Sequence, residues 1–253
     1  MDPAQLSLAQ WILLGAAIAL VAFLYSSVGH AGASGYIAVL TLCGFAAAFI
    51  KPTALVLNIL VAGIGSFQFW RAGHFSWNFF WPFALLAVPA AFLGGYLHLP
   101  TSILKPLLGA VLLFSAARLC FRSGDASAVT PPNRAVALSV GAVIGFLSGL
   151  TGTGGGIFLT PLLLFLRWSH TKRAAATSAV FILVNSIAGL TGYFSSGKPV
   201  PSLAWALAVA AVAGGTLGSY LGSARLPVRA IQLLLSAVLV IAGSKLILTG
   251  TPR

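Results

Sequence analysis

Acidic side chains are almost missing from this chain: it has two in 253 residues, Asp2 at the start and Asp125 near the middle. No hydrophobic run therefore contains a carboxylate. Cation pumps and proton-coupled carriers generally use intramembrane acids as ligands or relays, and a cation crossing here would find no neutralising partner. Charge of either sign is scarce as well, at 6% of residues against 59% hydrophobic. Soluble domains carry about 25% charged residues, so a water-solvated surface cannot be built from this inventory. Strict apolar/polar alternation is lacking, which argues against a β-barrel. The two cysteines, Cys43 and Cys120, lie in separate apolar stretches and read as small packing residues. No basic n-region precedes residues 8–28, so that stretch reads as a retained first helix and not a cleaved leader. The net charge of +12 comes from dispersed Lys and Arg, without the basic face that nucleic-acid binding needs.

Long charge-free runs remain: residues 3–50, 52–70, 135–166, 174–197 and 199–224. A helix crosses the hydrocarbon core with roughly 20 apolar residues, so the chain is expected to be an all-α, multi-pass integral membrane protein with the lipid bilayer as its solvent. Cuts at Gly, Pro and charge clusters give ten segments: 8–28, 33–50, 53–70, 78–97, 103–121, 134–151, 155–168, 175–194, 202–222 and 230–248. One long polar connection, 122–134, separates an N-terminal repeat (1–121) from a C-terminal repeat (135–253). The halves match in order: Gly29 with Gly152, Lys51 with Lys172, Gly73 with Gly197, and Gly94-Gly95-Tyr96-Leu97 with Gly218-Ser219-Tyr220-Leu221. Ten crossings would place nine Lys and Arg on one side and five on the other. The positive-inside rule makes the richer side, with the 122–134 loop, cytoplasmic. About five segments per half then means two inverted repeats. The first pair of each half reads either as two crossings or as a re-entrant or broken-helix hairpin. Trp11, Trp70, Trp77, Trp81 and Trp168 fit an interfacial belt.

Chemistry is expected where glycines interrupt the apolar text. The first break is Gly29-His30-Ala31-Gly32-Ala33-Ser34-Gly35. The second is Ser148-Gly149-Leu150-Thr151-Gly152-Thr153-Gly154-Gly155-Gly156, with Pro161 shortly after. Unwinding there creates helix N-termini, whose free N–H groups and partial positive charge suit an anion. Irregular backbone at membrane depth survives only inside protein or along a cavity. Candidate substrate-binding residues are Gly29, His30, Gly32, Ser34, Gly152, Thr153, Gly154, Gly155 and Gly156. Thr177, Ser178 and Asn185 join them, ranked above Asn58, Gln68, Ser186 and Thr191 because they follow the second break. Polar groups of that kind commonly bridge helices instead. Lys51 and Lys172 are candidate mouth charges, though such lysines often snorkel to headgroups. No cofactor, catalytic or metal motif is legible. The partners expected are a small anion and the bilayer, no nucleic acid, with a homo-oligomer left open.

The run Gly149-Leu150-Thr151-Gly152-Thr153-Gly154-Gly155-Gly156, followed by Pro161 and Thr177-Ser178, resembles the glycine-rich signature of the TauE/SafE family of sulfite exporter-like membrane proteins. The resemblance implies a secondary transporter of the bacterial inner membrane moving sulfite or a related organosulfur anion, outward by preference. Gly152, Gly154, Gly155, Gly156 and Pro161 carry the pattern. The first break departs from it: there is no Gly triplet, and Leu40 stands where the proline would fall. Two rival readings remain. A passive channel would also conduct anions. Gly32-Ala33-Ser34-Gly35 looks like the serine motif of rhomboid intramembrane proteases, but that chemistry needs a later histidine as base.

Overall fold

In the computed structural model, the described residues are 6–97, 128–197 and 201–250, with Gly109, Leu113, Ala116, Ala117 and Cys120. Among them the regular structure is helical, with no strand. The helices are α1 (Leu8–Ser26), α2 (Ala33–Leu42), α3 (Ala47–Arg71), α4 (Trp77–Tyr96), α5 (Arg134–Thr151), α6 (Gly156–Phe165), α7 (Thr171–Ser195), α8 (Leu203–Tyr220) and α9 (Val228–Gly250). A π-turn, Leu221–Arg225, extends α8.

Seven of these, all but α2 and α6, are long and apolar enough to cross a membrane. The ten-segment reading changes accordingly. Residues 33–50 are not one segment: the chain turns at Cys43-Gly44, with Gly44 left-handed at φ 75°, and α3 starts afresh at Ala47. Helices α2 and α6 have 10 residues each, about 15 Å of rise, half of the roughly 30 Å core. Neither is a full crossing. The segment 103–121, the central loop and the Lys198 connection lie largely outside the described residues.

Small residues set the packing. Gly141, Gly145 and Gly149 of α5 lie against the carbonyls of Phe83, Ala87 and Ala91 in α4, so closely that a Cβ would overlap each oxygen. Gly214, Gly218 and Gly222 lie in the same way against Ala19, Phe23 and Ser27. These are small-residue seams of the kind that join helices in lipid, and in both the two helices run parallel. At the centre α3 and α7 cross antiparallel, with Leu55 beside Gly189 and Asn58 donating to Ser186 Oγ at 3.3 Å.

Helix directions sort the cations. Arg71, Arg134, Arg167, Lys172, Arg173, Arg225 and Arg229 stand at one end of the bundle. Among the described residues only Lys51 and Lys245 stand towards the other.

Candidate functional site

Each short helix is the returning arm of a hairpin. Helix α1 ends at Ser26; the chain turns through residues 27–32, with His30 N–H donating back to the Tyr25 carbonyl at 2.9 Å. Gly29 (φ 78°) and Gly32 (φ 108°) take left-handed angles at the turn that cost other residues about 1–2 kcal/mol. Gly35 then seats on Val21 and Tyr25, so α2 folds back along α1. In the second hairpin α5 closes at Gly152, whose N–H donates to the Ser148 carbonyl at 2.8 Å. Gly154 and Gly155 are left-handed at φ 77° and 81°, and α6 opens at Gly156.

The first turns of the half-helices are open. Their N-caps are Gly32 and Gly155, and no side chain caps either. Side-chain caps are found on α1, where Ser7 forms a capping box, and on α5, where Asn133 Oδ1 accepts from Val136 N; α3, α4, α7 and α8 also start without one, but none of these starts at a left-handed glycine. A helix start without a side-chain cap leaves amide donors to be satisfied from elsewhere.

The hairpins meet through side chains. His30 Nε2 lies 2.8 Å from Thr160 Oγ1 of α6, with the Gly156 backbone beside the imidazole. Thr160 Oγ1 donates on to Ser178 Oγ of α7 at 2.6 Å. The second tip wedges between the central helices: a Cβ on Gly154 would stand 2.8 Å from Asn58 Nδ2 and 3.0 Å from Ser186 Oγ. On Gly155 it would meet Phe181 at 2.9 Å and Ser148 Cβ at 3.2 Å. Around this region several deeply buried polar atoms have no hydrogen-bond partner among the described residues: His30 Nδ1, Ser148 Oγ, Asn58 Oδ1, Thr177 Oγ1 and Asn185 Oδ1. Unmet capacity on this scale is unusual in a packed interior.

The sequence candidates divide. His30, Gly156 and Ser178 come together at the junction through Thr160, and Gly154 and Gly155 lie at the second tip beside Asn58, Ser186 and Ser148. Ser34 lies on the α2 side, donating to Tyr25 OH at 2.9 Å. Its carbonyl accepts from Lys245 Nζ at 3.1 Å. Thr153 bonds the neighbouring Thr151 hydroxyl at 2.9 Å. Asn185 uses its amide on the Phe181 carbonyl of its own helix. Ser34 and His30 hydrogen-bond different partners, without the mutual bond that links a nucleophile to its base.

Each tip also reaches the start of the opposite half's long helix. Gly29 presses on the backbone of Ala175, one turn beyond Lys172, and Gly152 rests on Lys51. Lys51 Nζ reaches the Gly95 carbonyl at 3.5 Å and Lys172 Nζ the Ser223 carbonyl at 3.4 Å, both at helix C-terminal ends where a cation is favoured. His74 Nε2 shares the Ser223 carbonyl at 3.1 Å. Partial burial holds the His74 pKa below the usual imidazole value, and Lys172 adds to the shift against the opposing Ser223 bond.

Sequence reasoning passed over Thr160, Tyr25 and Ser148, and counted Lys245 only as a topology charge. Thr160 had a signal: it lies four residues after Gly156, hence on the same helix face.

The chain is 45% identical over 243 residues to the "probable membrane transporter protein y4hK" of Sinorhizobium fredii, covering 92% of this chain and 98% of that one. It is 27% identical over 238 residues to the "probable membrane transporter protein YjnA" of Bacillus subtilis, 87% and 92% of the two chains. No solved structure matches it. The model of the family described as "Sulfite exporter TauE/SafE" matches residues 14–246, both glycine hairpins included, and the chain belongs to that family of membrane transporters.

Proposed function

We propose that this protein is a secondary transporter that exports a small oxyanion, sulfite or a related sulfonate, across the bacterial inner membrane. The observation that carries the reading is the pair of half-helices starting at left-handed glycines inside the bundle, without side-chain caps and beside unsatisfied buried polar atoms. Open amide ends favour negative charge, and no carboxylate of the chain lies in a described helix to oppose it. The binding residues are Gly154, Gly155 and Gly156 with Asn58, Ser148 and Ser186 at one tip, and His30, Thr160 and Ser178 at the junction. Lys51 and Lys172 draw the anion to opposite mouths.

Support for an inverted duplication comes from the reciprocal contacts of the two tips and the antiparallel crossing of α3 and α7. The end of the bundle that bears seven Arg and Lys is the cytoplasmic one under the positive-inside rule. Transport down the potential of a negative-inside cell gains ~2.3 kcal/mol per net negative charge moved outward per 100 mV, so a doubly charged oxyanion keeps a drive for export without a coupling acid even when one proton accompanies it.

The test is a thermal-shift panel on purified protein with sulfite, thiosulfate, a sulfonate, sulfate and small carboxylates. Stabilisation by sulfur oxyanions above carboxylates is expected. Indifference to every anion would refute the reading.

A further inference from the structure

We propose that His30 takes up a proton as the anion binds, so that anion and proton occupy the bundle together; this rests on the anion reading above. Hydrogen-bond accounting along the junction gives the first argument. Thr160 has one hydroxyl hydrogen and donates it to Ser178 at 2.6 Å. At 2.8 Å from His30 Nε2 it can then only accept, so Nε2 carries the imidazole hydrogen and Nδ1 the lone pair. That lone pair is buried, in a residue only 3% exposed, and meets no donor among the described residues. It is a base held in place without its acid.

Position gives the second argument. The ring lies beside Gly156, the first residue of α6. A proton taken up by the ring would therefore place a positive charge beside the first turn of α6, where the anion is proposed to bind. Titratable and charged groups on the surrounding elements do not offer it a counter-charge. Tyr25 of α1, its ring 6.5 Å away, holds its hydroxyl against Ser34. Tyr36 of α2 donates to the Ala31 carbonyl. Lys245 of α9 and Lys172 of α7 are cations, on the carbonyls of Ser34 and Ser223. Helix α6 has no titratable side chain, and α5 only Arg134 at its distant start. A buried charge stands only when compensated, and the bound anion is the compensation available. Conversely, the imidazolium strengthens anion binding by the same factor, since coupling between two ligands is reciprocal. The step balances: the Nδ1 lone pair forms an N–H bond to a proton from water, Nε2 keeps its hydrogen, and release of the anion returns the proton.

The experiment uses the full-length protein and methanesulfonate, whose own charge does not change across the range. Calorimetric titrations in two buffers of different ionisation enthalpy count the protons taken up. Between about pH 5 and 8, uptake approaching one proton per anion is expected in the wild type. Affinity should fall by up to tenfold per pH unit as pH rises. His30→Gln, whose amide can still donate to Thr160, should bind weakly with no uptake. A triple variant His74→Gln/His98→Gln/His170→Gln, with His30 as its only histidine, should keep the uptake, and it serves alone if His30→Gln does not fold. Wild-type binding with no proton uptake, uptake that survives His30→Gln, or uptake lost in the triple variant would overturn the proposal while sparing the anion reading. No binding by the wild type to methanesulfonate or to any anion of the panel would overturn both.

Discussion

The two hairpins are built alike and held differently. Both turn at left-handed glycines, both open a 10-residue helix without a side-chain cap, and both press a tip on the opposite half. Yet Gly29 abuts backbone, the Ala175 peptide, whereas Gly152 abuts the stem of a flexible lysine. The first hairpin brings an imidazole to the junction, and the second a glycine triplet lodged between Asn58 and Ser186. The first tip meets backbone at Gly29 and contributes a side chain. The second meets side chains, Lys51 at Gly152 and then Asn58, Ser186 and Phe181, and contributes backbone.

The largest effect is expected at the first tip. Gly29→Ala adds a Cβ that overlaps the Ala175 backbone at a positive φ. Left-handed cost and steric clash together should exceed about 3 kcal/mol, seen as loss of folded protein in detergent size-exclusion profiles. The second tip is probed by Asn58→Leu, which removes the amide beside Gly154 and its bond to Ser186. Loss of hydrogen bonding to a charged ligand corresponds to roughly ten- to hundredfold weaker anion binding, read by the anion-induced thermal shift. Gly152→Ala should be milder than Gly29→Ala, about 1–2 kcal/mol, because the obstructing Lys51 Cγ at 2.9 Å can swing aside. Equal damage at Gly29 and Gly152 would erase the contrast.

How far the sequence foretold this depends on the kind of signal. Helical membrane residence followed from composition, because a chain with two acids and long apolar runs has no other stable solution. The Gly-rich breaks were legible because glycine is the residue that takes a left-handed turn cheaply. The short helices were legible in part: 155–168 stood apart as a short segment and a re-entrant hairpin was one reading of each pair, but residues 33–50 read as one uninterrupted apolar segment, and only Gly44 marked where that half-helix stops. Side-chain partners were hidden for a different reason: Thr160 meets His30 across 130 positions, and periodicity is blind to contacts between distant segments. Lys245 illustrates the same limit. As text it is a helix-end cation; in space its ammonium reaches Ser34 in the first hairpin.

The smallest effect concerns the mouth near the first tip. His74 has its pKa lowered by partial burial, with Lys172 adding to the shift. The native state therefore binds fewer protons than the unfolded state as pH falls below the ordinary histidine value of about 6.5. Its contribution to stability is present above that value and lost as pH drops towards the lowered one. His74→Gln should flatten the acid side of the melting-temperature profile slightly and leave the neutral side unchanged. A matching change on the alkaline side would contradict the assignment.

Counterflow in proteoliposomes addresses the central claim most directly. Vesicles preloaded with unlabelled sulfite should transiently accumulate labelled sulfite from outside, with saturation as the external concentration rises. Asn58→Leu should depress that overshoot. Flux that rises linearly, with no overshoot under preloading, would contradict a carrier with two alternating glycine-hairpin mouths and point to a passive pore.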